Sequence, residues 1–180
     1  FAAEGTANTQ CRACVPGEFN DQAGQGTCPQ CPPGRYSASN ASITCVACEI
    51  GKASNSLGAS TCGTCPKGSR QPDAGQEFCL GCATGTVGSA PGLASCQACA
   101  PGFYANNDSL AQCLPCAPGF VANFTGARSC LPCAMGTFQS SAGQVQCLPC
   151  PIGTAANVTG RSSCLPCSAG RYQDQAAAVT

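Results

Sequence analysis

The sequence predicts a small disulfide-rich repeat fold: an elongated solenoid or rod of ten 17-residue units, with short β segments, turns and little or no helix. Three observations carry this expectation. Ten Cys-x-x-Cys pairs recur every seventeen residues without insertion or deletion, and they use all twenty cysteines. A glycine follows the second cysteine of every pair at a fixed distance. Large apolar residues are scarce: Leu, Ile, Val, Met, Phe and Tyr number 29 of 180, and Trp is absent. Such a stock cannot offset the chain entropy of a compact domain of this length, so covalent staples must carry the fold.

The turns come first. With each repeat counted from its first cysteine, position 7 is Gly17, Gly34, Gly51, Gly68, Gly85, Gly102, Gly119, Gly136, Gly153 and Gly170. Pro16, Pro33, Pro101 and Pro118 precede four of them. Pro fixes φ near −65° and Gly accepts positive φ, as the two central residues of a type II turn require. Position 14 is Gly in seven copies and Ala or Ser in the others. The polar run at positions 10 to 13 suits an exposed second turn.

The strands lie between. Position 9 is often large (Phe19, Tyr36, Val87, Tyr104, Val121, Phe138, Tyr172), and position 2 becomes Leu80, Leu114, Leu131, Leu148 and Leu165. These two rows are expected to form a thin apolar seam between repeats. Seventeen residues accommodate short extended segments but no helix of useful length.

Strict repetition leaves three regular schemes for the cysteines: a bond inside each pair, a bond from the second cysteine to the first of the next pair, or interlocking bonds across a whole repeat. The first typifies redox motifs at helix starts, and no helical pattern follows these pairs. The second is favoured. It gives Cys14–Cys28, Cys31–Cys45, Cys48–Cys62, Cys65–Cys79, Cys82–Cys96, Cys99–Cys113, Cys116–Cys130, Cys133–Cys147 and Cys150–Cys164, and leaves Cys11 and Cys167 to pair outside the segment. Residues 1–10 then read as the end of a preceding repeat and 11–180 as one continuous array, a window on a longer chain.

Several chemistries fit poorly. A four-thiolate zinc site is compatible with Cys-x2-Cys-x13-Cys-x2-Cys. Shared metals would impose a period of thirty-four, however, and every intervening segment is alike. The chain has no His, which removes Ser-His-Asp and Cys-His machinery, and its carboxylates recur at no fixed phase. Neither catalysis nor a cofactor is expected. Eight basic and eight acidic residues cancel, leaving no basic face for nucleic acid and no polybasic membrane patch. No apolar run is long enough to span a bilayer. Cysteine above 10% of residues points instead to an extracellular, secretory-pathway protein.

Sequons begin at Asn40, Asn107, Asn123 and Asn157, all at repeat positions 11 to 13, and are expected to carry N-linked glycans.

Units such as Cys113-Leu-Pro-Cys-Ala-Pro-Gly-Phe and Cys28-Pro-Gln-Cys-Pro-Pro-Gly-Arg-Tyr resemble the cysteine-rich repeats grouped as ephrin-receptor-like. They are similar also to the smaller module of tumour-necrosis-factor-receptor cysteine-rich domains. In that module a disulfide closes a Cys-x-x-Gly-x-aromatic stretch. The resemblance implies Cys31–Cys45 around Gly34 and Tyr36, and Cys99–Cys113 around Gly102 and Tyr104. Ala53, Arg70 and Ala155 depart from its aromatic position.

The function expected is that of a structural segment of a glycosylated extracellular rod or filament: a shaft, stalk or surface or flagellar fibre. Its expected partners are copies of itself or other filament proteins. The alternatives are a ligand-binding receptor or adhesin ectodomain, with Phe103-Tyr104 and Lys67 to Arg70 as nearest candidates for a binding site, and an intracellular multi-zinc repeat protein.

Overall fold

The computed structural model describes residues 10–176. The expectation for residues 1–10 thus falls almost wholly outside the described residues. No helix occurs among them. By Cα proximity the chain divides into two units, Phe1–Thr64 with Gln71–Cys79, and Cys65–Arg70 with Leu80–Thr180. The same motif builds both.

The motif is a two-residue hairpin closed by a disulfide. In the first unit β1 (Arg35–Tyr36) pairs with β2 (Val46–Ala47), and β3 (Lys52–Ala53) with β4 (Gly63–Thr64). The bridge Glu18 to Gln30 repeats the pattern in shorter form. In the second unit the pairs are β5 (Ser69–Arg70) with β6 (Leu80–Gly81), β7 (Thr86–Val87) with β8 (Gln97–Ala98), and β9 (Phe103–Tyr104) with β10 (Leu114–Pro115). They continue with β11 (Phe120–Val121) and β12 (Leu131–Pro132), β13 (Thr137–Phe138) and β14 (Leu148–Pro149), and β15 (Thr154–Ala155) and β16 (Leu165–Pro166). All are antiparallel. In each, position 9 faces position 2 of the next repeat, as Tyr104 faces Leu114.

The position-7 glycine starts each hairpin. Arg35 N donates to Pro32 O at 3.1 Å around Pro33-Gly34, with Gly34 at φ 79°. This is the type II turn that the Pro-Gly pair dictates. Where position 8 is Ser or Thr, its hydroxyl adds a second bond to the same carbonyl, as Thr137 Oγ1 does to Ala134 O at 2.7 Å.

Two expectations about the interior need correction. Position 10 is not part of an exposed turn: Ser37, Gln71, Ala105, Ala122, Gln139 and Ala156 are all buried. The backbone explains this. Gly102 N donates to Ala122 O of the next repeat at 2.7 Å, and Ala122 N donates onward to Gln144 O at 3.3 Å. Position 10 is therefore clamped between repeats, where only a small residue or a self-satisfying one fits. Gln139 satisfies itself, with Nε2 donating to Gln146 O at 2.9 Å and Oε1 accepting from Ser141 N at 3.1 Å.

The leucines at position 2 form no buried seam either. Leu80, Leu114, Leu131, Leu148 and Leu165 remain 36–52% exposed at the rims of their hairpins. Position 9 packs better, with Val87 buried and Tyr104 half-buried, although Tyr172 is exposed. The interior is cystine and alanine: Cys99 with Val87 and Ala105 in one cluster, Cys116 with Ala122 and Ala127 in another.

Candidate functional site

The feature that recurs in every repeat is the disulfide, so the ladder is where chemistry and architecture meet. Bonds join Cys14–Cys28, Cys31–Cys45, Cys48–Cys62, Cys82–Cys96, Cys99–Cys113, Cys116–Cys130, Cys133–Cys147 and Cys150–Cys164. Each spans fourteen residues with Cα atoms 5.6–5.8 Å apart. Cys65 and Cys79 are disulfide-bonded as well. Cys11 and Cys167 are free thiols, the first exposed and the second half-buried. The second cysteine of each pair lies deepest: Cys31, Cys48, Cys82, Cys99, Cys116, Cys133 and Cys150 have no exposed surface.

The backbone around each buried cysteine ties three repeats together. Cys116 N donates to Gly102 O of the preceding repeat at 2.9 Å, and Cys116 O accepts from Gly143 N of the following one at 2.8 Å. The same two bonds hold at Cys31, Cys48, Cys82, Cys99 and Cys133. A further contact skips a repeat. Six position-7 glycines sit under the carbonyl of position 14 two repeats later, at Gly17–Gly58, Gly34–Gly75, Gly68–Ser109, Gly85–Gly126, Gly102–Gly143 and Gly119–Gly160.

This arrangement gives the two glycine rows different reasons to exist. At these six position-7 glycines both the positive φ and the approach of a carbonyl exclude a side chain. At position 14 no backbone carbonyl blocks a side chain, and the φ is the main constraint. A Cβ at Gly126 would meet nothing nearer than 3.9 Å, and Ala41 and Ser109 occupy the position at φ 57° and 61°.

The remaining candidates for chemistry are sparse. A cystine sulfur offers no thiolate to a metal, and among the described residues no group of three or more His, Cys, Asp or Glu is placed to hold one. Glu49 and Lys52 form an exposed ion pair at 2.9 Å; its hydrogen bond lowers the Glu49 pKa and raises that of Lys52. A concavity of about 390 Å³ beside the exposed Phe78 is lined by small polar residues and Glu77. Phe103 and Tyr104 serve packing. The Phe103 ring and Pro115 lie against Gly143, and Tyr104 covers the Cys116 cluster. In the Lys67 to Arg70 stretch, Ser69 is buried and Arg70 pairs with Leu80. The sequon asparagines Asn40, Asn107, Asn123 and Asn157 are all exposed. Among the described residues no helix is long and apolar enough to cross a membrane.

Comparison with known proteins agrees with this geometry. The family model described as tyrosine-protein kinase ephrin type A/B receptor-like matches twice, over residues 85–129 and 119–160. No curated protein matches the chain. The chain is thus an extracellular, disulfide-rich tandem array of one repeated unit, and its residues 85–160 are similar to ephrin-receptor-like cysteine-rich repeats.

Proposed function

We propose that this array is a load-bearing segment of an extracellular rod or filament, a shaft, stalk or surface fibre. One observation carries the reading. Each disulfide short-circuits a fourteen-residue loop, and only two residues separate the second cysteine of one bond from the first of the next. Tension therefore passes from cystine to cystine through links such as Cys113 to Cys116, and the loops between are spared.

The uniformity of the array supports the same reading. A binding site breaks a repeat locally with clustered aromatic or charged groups, whereas here the inter-repeat bonds recur with the same partners from Gly17 to Gln173. The partners proposed are further copies of the chain or other filament proteins.

Immunogold labelling with an antibody raised against the array tests the role. A filament shaft decorated along its length is the expected image. Label spread evenly over a cell surface without filaments, together with saturable capture of a soluble protein, would favour the receptor alternative.

A further inference from the structure

The four sequons look equivalent in the sequence but differ in the fold, because they start at different repeat positions. Asn123 and Asn157 occupy position 11, so their triplets end at position 13 in Thr125 and Thr159. Asn107 occupies position 12 and Asn40 position 13, so their triplets run into positions 14 and 15. Those later positions carry the inter-repeat contacts.

In the Asn40 triplet, Ala41 N donates to Cys14 O at 2.8 Å and Ser42 O accepts from Asn20 N at 3.0 Å. The Ser42 hydroxyl is spent on Ser39 O at 2.7 Å. In the Asn107 triplet, Ser109 N donates to Cys82 O at 2.7 Å, and the Asp108 carboxylate accepts from Thr84 N at 2.9 Å. In the other two triplets the equivalent bonds fall one residue beyond the sequon, at Gly126 to Cys99 O and Gly160 to Cys133 O. Among the described residues Thr125 and Thr159 are exposed and make no hydrogen bond, so the hydroxyls that complete these sequons are free.

A second observation singles out the same pair. Residues 109–160 contain one charged side chain, Arg128. Their exposed apolar residues include Phe124 and Val158, each 50% exposed and each the middle residue of one of these sequons. A sugar on the neighbouring asparagine would cover both in a stretch that charge does not keep soluble.

We propose that Asn123 and Asn157 are N-glycosylation sites on the folded array, and that folding closes Asn40 and Asn107 to the same modification. Transfer joins the asparagine Nδ2 to the anomeric carbon of an oligosaccharide carried on a lipid diphosphate. The bond from that carbon to the diphosphate oxygen breaks, the lipid diphosphate leaves with the electron pair, and one amide proton passes to a base of the transferase. The inference rests on the extracellular placement of the chain and not on its mechanical role, so the two fail separately.

The test uses the full chain in two forms, oxidised and reduced-alkylated, both initially without glycan. Each is incubated with a purified oligosaccharyltransferase and a lipid-diphosphate oligosaccharide, and sites are read by mass spectrometry after deglycosylation in heavy-oxygen water. In the oxidised chain Asn123 and Asn157 are expected to be modified several-fold more than Asn40 and Asn107. Alkylation should remove that difference. Equal modification of all four in the oxidised chain, or none at Asn123 and Asn157, overturns the proposal.

Discussion

The carbonyl of Gly143 lies over Gly102, two repeats earlier, so closely that a Cβ added at Gly102 would fall on the oxygen and 2.8 Å from its carbon. The reverse substitution has room. A Cβ at Gly143 would meet the Phe103 ring at 3.7 Å and Pro115 at 3.8 Å, ordinary contact distances. Both glycines have positive φ, at 87° and 72°. Gly143→Ala should therefore cost about 1 kcal/mol, the left-handed penalty alone, and Gly102→Ala about 3 kcal/mol, because the neighbouring backbone must also move. Denaturant unfolding without reductant measures both. Equal costs would contradict the stacking described.

Ser109 and Gly81 form a compensating pair. Ser109 has Gly's position in the repeat at φ 61°, and its hydroxyl fills the space a Cβ at Gly81 would need. Ser109→Gly and Ala41→Gly should each stabilise by about 1 kcal/mol. Gly81→Ala should destabilise strongly beside Ser109 and little in the Ser109→Gly background, a coupling of about 1 kcal/mol or more. An additive double-mutant cycle would rule the pairing out.

Removing one rung tests the ladder's contribution. The Cys116→Ala/Cys130→Ala double substitution opens a loop of fourteen-residue span and should lower stability by about 3 kcal/mol. Full reduction should abolish the cooperative transition, because the remaining core is alanine and half-buried side chains. A melt unchanged after reduction would contradict that view.

The Glu49–Lys52 pair predicts almost no pH dependence. The lowered Glu49 pKa means its contribution exists above the ordinary carboxylate range and is lost as pH falls through the folded value. The raised Lys52 pKa means its contribution exists below the ordinary lysine value and is lost as pH rises through the folded one. Both groups face solvent, where such pairs count for little. Glu49→Gln should leave the unfolding midpoint unchanged at neutral pH. A drop there would assign Glu49 a different role.

The period, the turn at Gly34 and the favoured pairing of successive cysteines can be read from residue spacing, because each depends on local chain geometry. The burial of Gln71 and Gln139 cannot. A glutamine reads as solvent-facing until its two hydrogen-bond partners, two and seven residues on, are known. The leucine row misleads for the opposite reason. Leu131 is apolar, but an interior closed by backbone contacts around Cys133 has no room for it. The contact from Gly102 to Gly143 leaves one trace in sequence: position 7 is always Gly, while position 14 accepts Ala41 and Ser109. Sequon phase is legible too, but its meaning depends on knowing that positions 14 and 15 carry the inter-repeat bonds.

The most direct test of the load-bearing claim is single-molecule force extension of the array, oxidised and then reduced. With the disulfides intact, tension should lengthen each repeat to no more than about 16 Å, the cystine span plus the three Cα–Cα steps of the link. Reduction should release the loops and raise the limit to about 58 Å per repeat. An oxidised array that extends to the reduced length would show that the cystines do not carry the load.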